Sequence, residues 1–245
     1  MKENTNYPAN SGRPEYIFQA ITGKFLENNY LAVHVSLALA VLFSFTGMLF
    51  IYFYFERTSA PEILYISIFT FSFSLEIVRL ILPLHLIYTF PLSYLVGSSR
   101  LLLFARCFGV FSIFTASVCA AGLEVQKTRN IIVIITIAVL LIVLSVPVNS
   151  QSWDTSLNMT KGFPSMFRFI EAFLFIASVL TFFVAAKVRD TREYIFVGIG
   201  VVFAFIGRSI LLGTDNWTGP VPGILLLSFG IWFICSKLHK IHLWL

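Results

Sequence analysis

Charge is what this sequence has least of. Charged residues make up 12% of its 245 positions, about half of the roughly 25% that a soluble globular domain carries. Hydrophobic residues make up 58%, with 27 Phe, so the remaining polar surface is too small to coat a globule in water. Lipid is the implied solvent. Cysteine is scarce as well. Cys107, Cys119 and Cys235 all lie in apolar runs, an odd number that excludes a disulfide framework and suits small core side chains. Only four histidines occur, His34, His85, His239 and His242. No pair of them is placed mid-span as a bis-His haem requires, and His239 and His242 read as part of a tail after the last helix. There is no H-x-x-x-H, no G-x-S-x-G, no Gly-rich phosphate loop and no Cys-x-x-Cys, so no metal, cofactor or catalytic residue is indicated. Residues 1–29 hold no long apolar stretch, which excludes a cleavable signal peptide there.

What is present is a series of apolar runs of about 20 residues without strict alternation, the length and pattern of membrane-crossing helices. Hydrocarbon offers no partner for backbone N–H and C=O groups, so each run must satisfy its own. An all-α polytopic membrane fold follows. Residues 1–29 form a polar tail in which Ile17, Phe18, Ile21 and Phe25 recur at helical spacing, as in a short amphipathic interfacial helix. Residues 30–245 form the transmembrane domain. Its spans read as 30–55, 63–82, 101–122, 131–148, 165–186, 194–213 and 223–238. Residues 83–99, broken by Pro83, Pro91 and Gly97, read as an interfacial or re-entrant segment.

The net charge of +5 sits at helix ends, where the positive-inside rule accounts for it and a nucleic-acid partner is not needed. On the side shared with the C-terminus lie Arg57, Lys127, Arg129, Lys187, Arg189, Arg192, Lys237 and Lys240, eight in all; the other side carries five, Lys2, Arg13, Lys24, Arg100 and Lys161. The chain is therefore expected to run N-out and C-in, in a plasma membrane or a bacterial inner membrane. The sequons at Asn158 and Asn216 then fall outside.

Six ionisable residues fall within the apolar runs: Glu76, Arg79, Arg106, Arg168, Glu171 and Arg208. Such residues are costly in hydrocarbon and are candidates for a site. All six fall within roughly 10 Å of the expected outer boundary at 1.5 Å per residue. Glu76 and Arg79, like Arg168 and Glu171, are spaced i, i+3 and share a helix face. Four Arg against two Glu leave a positive surplus that suits a carboxylate, a phosphate or a lipid headgroup. The structural alternative is that these Arg snorkel to headgroups and the Glu–Arg pairs tie helices together. Trp153, Asp154, Asp215, Asn216 and Trp217 could form a lid, although Trp residues there also fit an aromatic belt. The inner halves of the spans read as apolar, which disfavours transport.

Several seven-helix families are excluded. The last helix has no mid-span Lys for a retinal Schiff base, and residues 149–164 hold no Cys for the usual outer-loop disulfide of animal receptors. There is no Pro-Gln dipeptide of the sugar-transporter kind. The segments SLEIVRLIL at 74–82 and RLLLFARCFG at 100–109, with short loops and the helix count, resemble bacterial seven-helix sensor modules, those ahead of histidine kinases and diguanylate cyclases. The resemblance covers residues 30–240. It implies a receptor or sensor, and with no output domain before Leu245 it implies a cytoplasmic signalling partner. A small transporter or permease subunit is the alternative. A membrane enzyme acting on lipid, with Glu76 or Glu171 as acid or base, is a third.

Overall fold

The computed structural model describes residues 28–55, 61–78, 92–122, 128–145, 148–153, 159–161, 164–213 and 220–243. Among these, seven α-helices follow one another: α1 Asn28–Phe55, α2 Pro61–Ser74, α3 Leu92–Ala120, α4 Thr128–Ser145, α5 Pro164–Val188, α6 Glu193–Gly213 and α7 Pro220–Leu243. A 3-10 turn, Leu75–Ile77, extends α2. The expected helical architecture is present, with one addition between α4 and α5. There β1 Val148–Trp153 pairs antiparallel with β2 Met159–Lys161, and an irregular register accommodates the longer strand.

Four helices are long and apolar enough to cross a membrane, through Val96–Ala120, Phe167–Val188, Glu193–Leu212 and Val221–Ile241. Leu37–Phe53 and Asn130–Ser145 are shorter apolar stretches in α1 and α4. The helices are apolar on their outer faces as well as inside: Phe53, Ile134, Phe169 and Trp232 are all exposed. A helix that is hydrophobic all round belongs in a lipid solvent.

Two element boundaries differ from the sequence reading by five residues or more, while the other described ones lie within three, Val148 at the expected end of the fourth span opening β1 instead. Residues 92–99, expected in a re-entrant segment, are the first two turns of α3. Gly97 does not break the helix, because its backbone stays helical in open space with nothing near a would-be Cβ. The other part, 83–91, lies outside the described residues, as does the amphipathic segment through residue 27. The last helix runs to Leu243 rather than ending near 238. His239 and His242 are therefore helical and not in a tail.

Three helices present matching inner faces. Glu62, Tyr65, Phe69, Ser72 and Glu76 follow a 3-4-3-4 spacing along α2 and its 3-10 extension, and all five are buried. The same spacing gives Arg106, Gly109, Ile113, Ala116 and Ala120 in α3, and Tyr194, Val197, Val201, Ala204 and Arg208 in α6. That spacing keeps one stripe on one side of a helix. Each stripe is apolar at its middle, and α2 and α6 carry polar residues at both ends. Many of the Ser and Thr between them do not polarise this core, since they satisfy their hydroxyls on their own helices. Ser67 donates to the Ile63 carbonyl at 2.9 Å, Ser112 to Phe108 at 2.7 Å and Ser178 to Leu174 at 2.7 Å, a pattern that leaves no donor to strand in hydrocarbon.

α6 and α7 approach more closely than any ordinary side chain would permit. A Cβ on Gly207 would strike the Leu227 backbone, and one on Gly230 would strike Ala204. Gly200, Ala204 and Gly207 thus form a smooth strip on α6 against Gly223 and Gly230 of α7, the small-residue contact by which helices associate in lipid without hydrophobic drive.

Candidate functional site

Glu76 and Arg106 are brought together as a bidentate ion pair. Arg106 Nε donates to Oε1 at 2.7 Å and Nη2 donates to Oε2 at 3.0 Å. The Glu76 side chain is 1% exposed and that of Arg106 is 13% exposed. The 3-10 turn carries Glu76 at the end of the buried stripe of α2, opposite the first half of α3. The parallel fork of a guanidinium on a carboxylate is the strongest geometry available to such a pair, and burial requires it.

Arg208 comes to the same layer from α6. Its Nη2 donates to the backbone carbonyl of Arg106 at 3.0 Å, and its guanidinium carbon stands 5.3 Å above the centre of the Phe69 ring, within cation–π range. Space for it is made by Gly109, where a Cβ would collide with Ser72 Oγ and come within 3.2 Å of Arg208 Nη1. The residue is 4% exposed. Its Nε and Nη1 have no hydrogen-bond partner among the described residues.

The other expected site residues divide. Glu171, half-buried, lies near enough to act electrostatically on both Arg106 and Arg208. Arg168, on the same helix one turn earlier, is exposed. Arg79 lies outside the described residues. Arg100, at the third helix's expected mouth, is half-buried, and its Nε lacks a partner among the described residues.

A second polar cluster occupies the opposite end, and sequence reasoning missed it. Glu62 and Tyr65, each 1% exposed, sit at the start of α2. The Tyr65 hydroxyl and the Cys119 thiol of α3 share a hydrogen bond. Arg189, in the turn between α5 and α6, donates Nη1 to the Tyr194 hydroxyl at 3.3 Å and Nη2 to the Cys119 carbonyl at 3.3 Å. Glu62 and Arg189 both act electrostatically on Cys119 and Tyr194. The expectation that this half of the bundle is apolar is therefore corrected. Glu62 directly follows Pro61, so it reads as a loop-side residue, yet the first turn of α2 is already packed. The signal that could have revealed it is the 62-65-69-72-76 spacing, which puts Glu62 on the stripe of Glu76. Fourteen residues at 1.5 Å each separate the two carboxylates by about 21 Å along the helix.

A groove separates α1 from α7, with a volume of ≈ 680 Å³, lined by residues that include Ser44, Gly47, Thr70, Ser228 and His239. None of the six expected site residues lines it. No group of His, Cys, Asp and Glu among the described residues could hold a metal ion. Compared with known proteins, the chain matches no protein-family model and no curated relative.

Proposed function

We propose that the chain is a seven-span membrane receptor or sensor, N-terminus outside, whose buried Arg layer accepts an anion. The observation that supports this is Arg208, 4% exposed with Nε and Nη1 unpartnered among the described residues. A buried donor left unmade costs about 1–3 kcal/mol, more when charged. An anion reaching it recovers that cost without displacing an existing pair, because Arg106 already holds Glu76. Nη2 of the same guanidinium ties α6 to the α3 backbone, so a ligand drawing on Arg208 would alter the fit of α6 against α3. That movement is the signal a cytoplasmic partner would read, as the resemblance to bacterial sensor modules implies.

The test is thermal stability in detergent across carboxylates, phosphates and anionic lipids. A ligand at 100 times its dissociation constant stabilises by about 2.7 kcal/mol through mass action. At least one anion raises the melting temperature, a neutral analogue of equal size does not, and Arg208→Met abolishes the effect while Arg168→Met retains it. A shift that survives Arg208→Met sinks the proposal and leaves the layer as a structural tie.

A transporter is the second reading, and the Glu62 cluster favours it. Buried polar groups at both ends of one stripe, with Phe69, Ile113 and Val201 between them, are what a closed path with an apolar gate requires. Anion flux into proteoliposomes that Glu62→Gln changes and Glu193→Gln does not would establish it.

A further inference from the structure

Each carboxylate of the layer has its own arginine. Of the two, Glu76 acts more strongly on Arg106, and Glu171 acts more strongly on Arg208. The first pair is closed by two hydrogen bonds. The second is open. Arg208, 4% exposed, keeps Nε and Nη1 without a partner among the described residues, and Glu171 makes no hydrogen bond or ion pair with any of them.

Packing sets the two open groups opposite each other. α5 and α6 are consecutive helices joined by a short turn, so they run antiparallel. Between them Phe175 and Phe205 stack, with ring centroids 4.2 Å apart and planes 16° from parallel. Glu171 lies four residues before Phe175, and Arg208 lies three residues after Phe205. Each charge therefore shares a helix face with its ring. In antiparallel helices both steps lead to the same side of the stack, by about 6 Å and about 4.5 Å. The open carboxylate and the open guanidinium thus stand at one level on facing helices, with the two rings below them. Glu171 is half-buried and forms the accessible edge. Arg208 forms the buried end, fixed by the Phe69 ring and the Arg106 carbonyl.

Opposite charges held apart select a ligand by its charge pattern. A simple anion drawn to Arg208 meets Glu171 beside it, and like charges brought together repel. A simple cation drawn to Glu171 meets the fields of both Arg106 and Arg208. A molecule with both charges is held at both ends, and it adds no uncompensated charge to a buried layer.

We propose that the site takes a small zwitterion, with its carboxylate or phosphate on Arg208 and its ammonium on Glu171. This rests on the Arg208 layer being a ligand site and names the class of ligand it selects. Free amino acids carry that chemistry, and so does the ethanolamine headgroup of a bilayer phospholipid. Glu171 is the residue that separates such a ligand from a plain anion.

The experiment titrates the melting temperature of the full chain in detergent with glycine, 3-aminopropanoate and 4-aminobutanoate. Each is compared with the carboxylate that lacks its amino group: acetate, propanoate and butanoate. At least one amino acid binds about tenfold or more tightly than its counterpart. Glu171→Gln removes the preference and leaves the simple carboxylate bound as well or better, which also shows that the variant is folded. Glu171→Asp, which keeps the charge, retains the preference, and Arg208→Met abolishes both shifts. Nanodiscs test the bilayer source: phosphatidylethanolamine stabilises the chain more than phosphatidylglycerol does, and Glu171→Gln removes the difference. A Glu171-dependent preference in either arm supports the assignment and identifies the source. Simple carboxylates as tight as their amino counterparts with no difference between lipids, or a preference that survives Glu171→Gln, overturns it. The anion site then still stands if Arg208→Met abolishes the shift. No shift with any of these compounds or lipids removes both.

Discussion

Arg208 donates a hydrogen bond to the backbone carbonyl of Arg106, Nη2 to O at 3.0 Å, so the side chain of one cation is held by the main chain of another. The side chain of Arg106 is meanwhile turned away to Glu76. Two guanidinium groups thus share one layer without facing each other, and their mutual repulsion is moderated by Glu76 and Glu171, whose fields reach both.

The first prediction concerns the Glu76–Arg106 pair. Removing one partner of a buried pair strands a charge and costs about 3–5 kcal/mol, while replacing both with apolar groups is often neutral or stabilising. Arg106→Leu should therefore lower the melting temperature in detergent sharply, and Glu76→Leu added to it should restore much of the loss. Additive losses in the two variants would show that the pair is not coupled.

The second prediction contrasts two glycines. At Gly207 a Cβ would enter the backbone of Leu227, which cannot yield as a flexible side chain can. Gly207→Ala should separate α6 from α7 and cost about 1–3 kcal/mol, the usual range for overpacking. Gly97 is helical with open space around it. There Gly97→Ala should be neutral or stabilise by about 0.5–1 kcal/mol. Thermal melts of the two variants side by side measure both.

The helical class was legible because apolar length and low charge are properties of single segments. Six ionisable residues stood out for the same reason, since each lies within an otherwise apolar run. Which of them meet was not legible. Arg168 and Glu171 share a face by spacing, yet one is exposed and the other half-buried, because the rotation of α5 is set by its neighbours. Glu62 escaped notice because Pro61 marks a helix start and a charge beside it looks like an end residue. Helix boundaries at Leu92 and Leu243 depend on whether Gly97 and His239 interrupt the backbone, and tertiary packing decides that. The groove between α1 and α7 has no sequence signal, since it is a gap between elements far apart in the chain.

The third prediction tests the orientation proposed for the bundle. The KVRDTR turn, Lys187 to Arg192, joins α5 to α6 and holds three cations, which the positive-inside rule assigns to the cytoplasmic side in the proposed orientation. Single cysteines in a background lacking Cys107, Cys119 and Cys235 report on it with a membrane-impermeant reagent. Position 216 should react in intact cells and position 190 only after permeabilisation. The reverse pattern would invert the protein.

The fourth prediction separates exposed from buried electrostatics. Glu193 accepts a hydrogen bond from Lys240 at 2.6 Å and forms an ion pair with Lys237 at 3.0 Å, with side-chain exposures of 21%, 54% and 24% for Glu193, Lys240 and Lys237. Water screens such pairs, and exposed ones contribute about 0.2–1 kcal/mol. Glu193→Gln should shift the melting temperature slightly, and less at high salt. A loss as large as that of Arg106→Leu would mean that this end of α6 is far drier than its exposure implies.

The last prediction is that Gly109 is the position on α3 that admits Arg208. Ser72 Oγ donates to the Phe69 carbonyl at 2.7 Å, which holds the hydroxyl where a Cβ on residue 109 would need to be. The same Cβ would lie 3.1 Å from Ser72 Cβ and 3.2 Å from Arg208 Nη1. Gly109→Ala must therefore move Ser72, Arg208 or the helix itself, at about 1–3 kcal/mol. The nearest obstacle is the hydroxyl, so Ser72→Ala should recover part of that loss although it removes a hydrogen bond. Contacting residues show interaction energies of about 0.5–3 kcal/mol in such a cycle. If Gly109→Ala costs the same with Ser72 or Ala at position 72, then the helices simply part and no specific seat for Arg208 exists. If the cost falls, the glycine, the serine and the buried guanidinium form one fitted unit, and the layer around Glu76 is built rather than incidental.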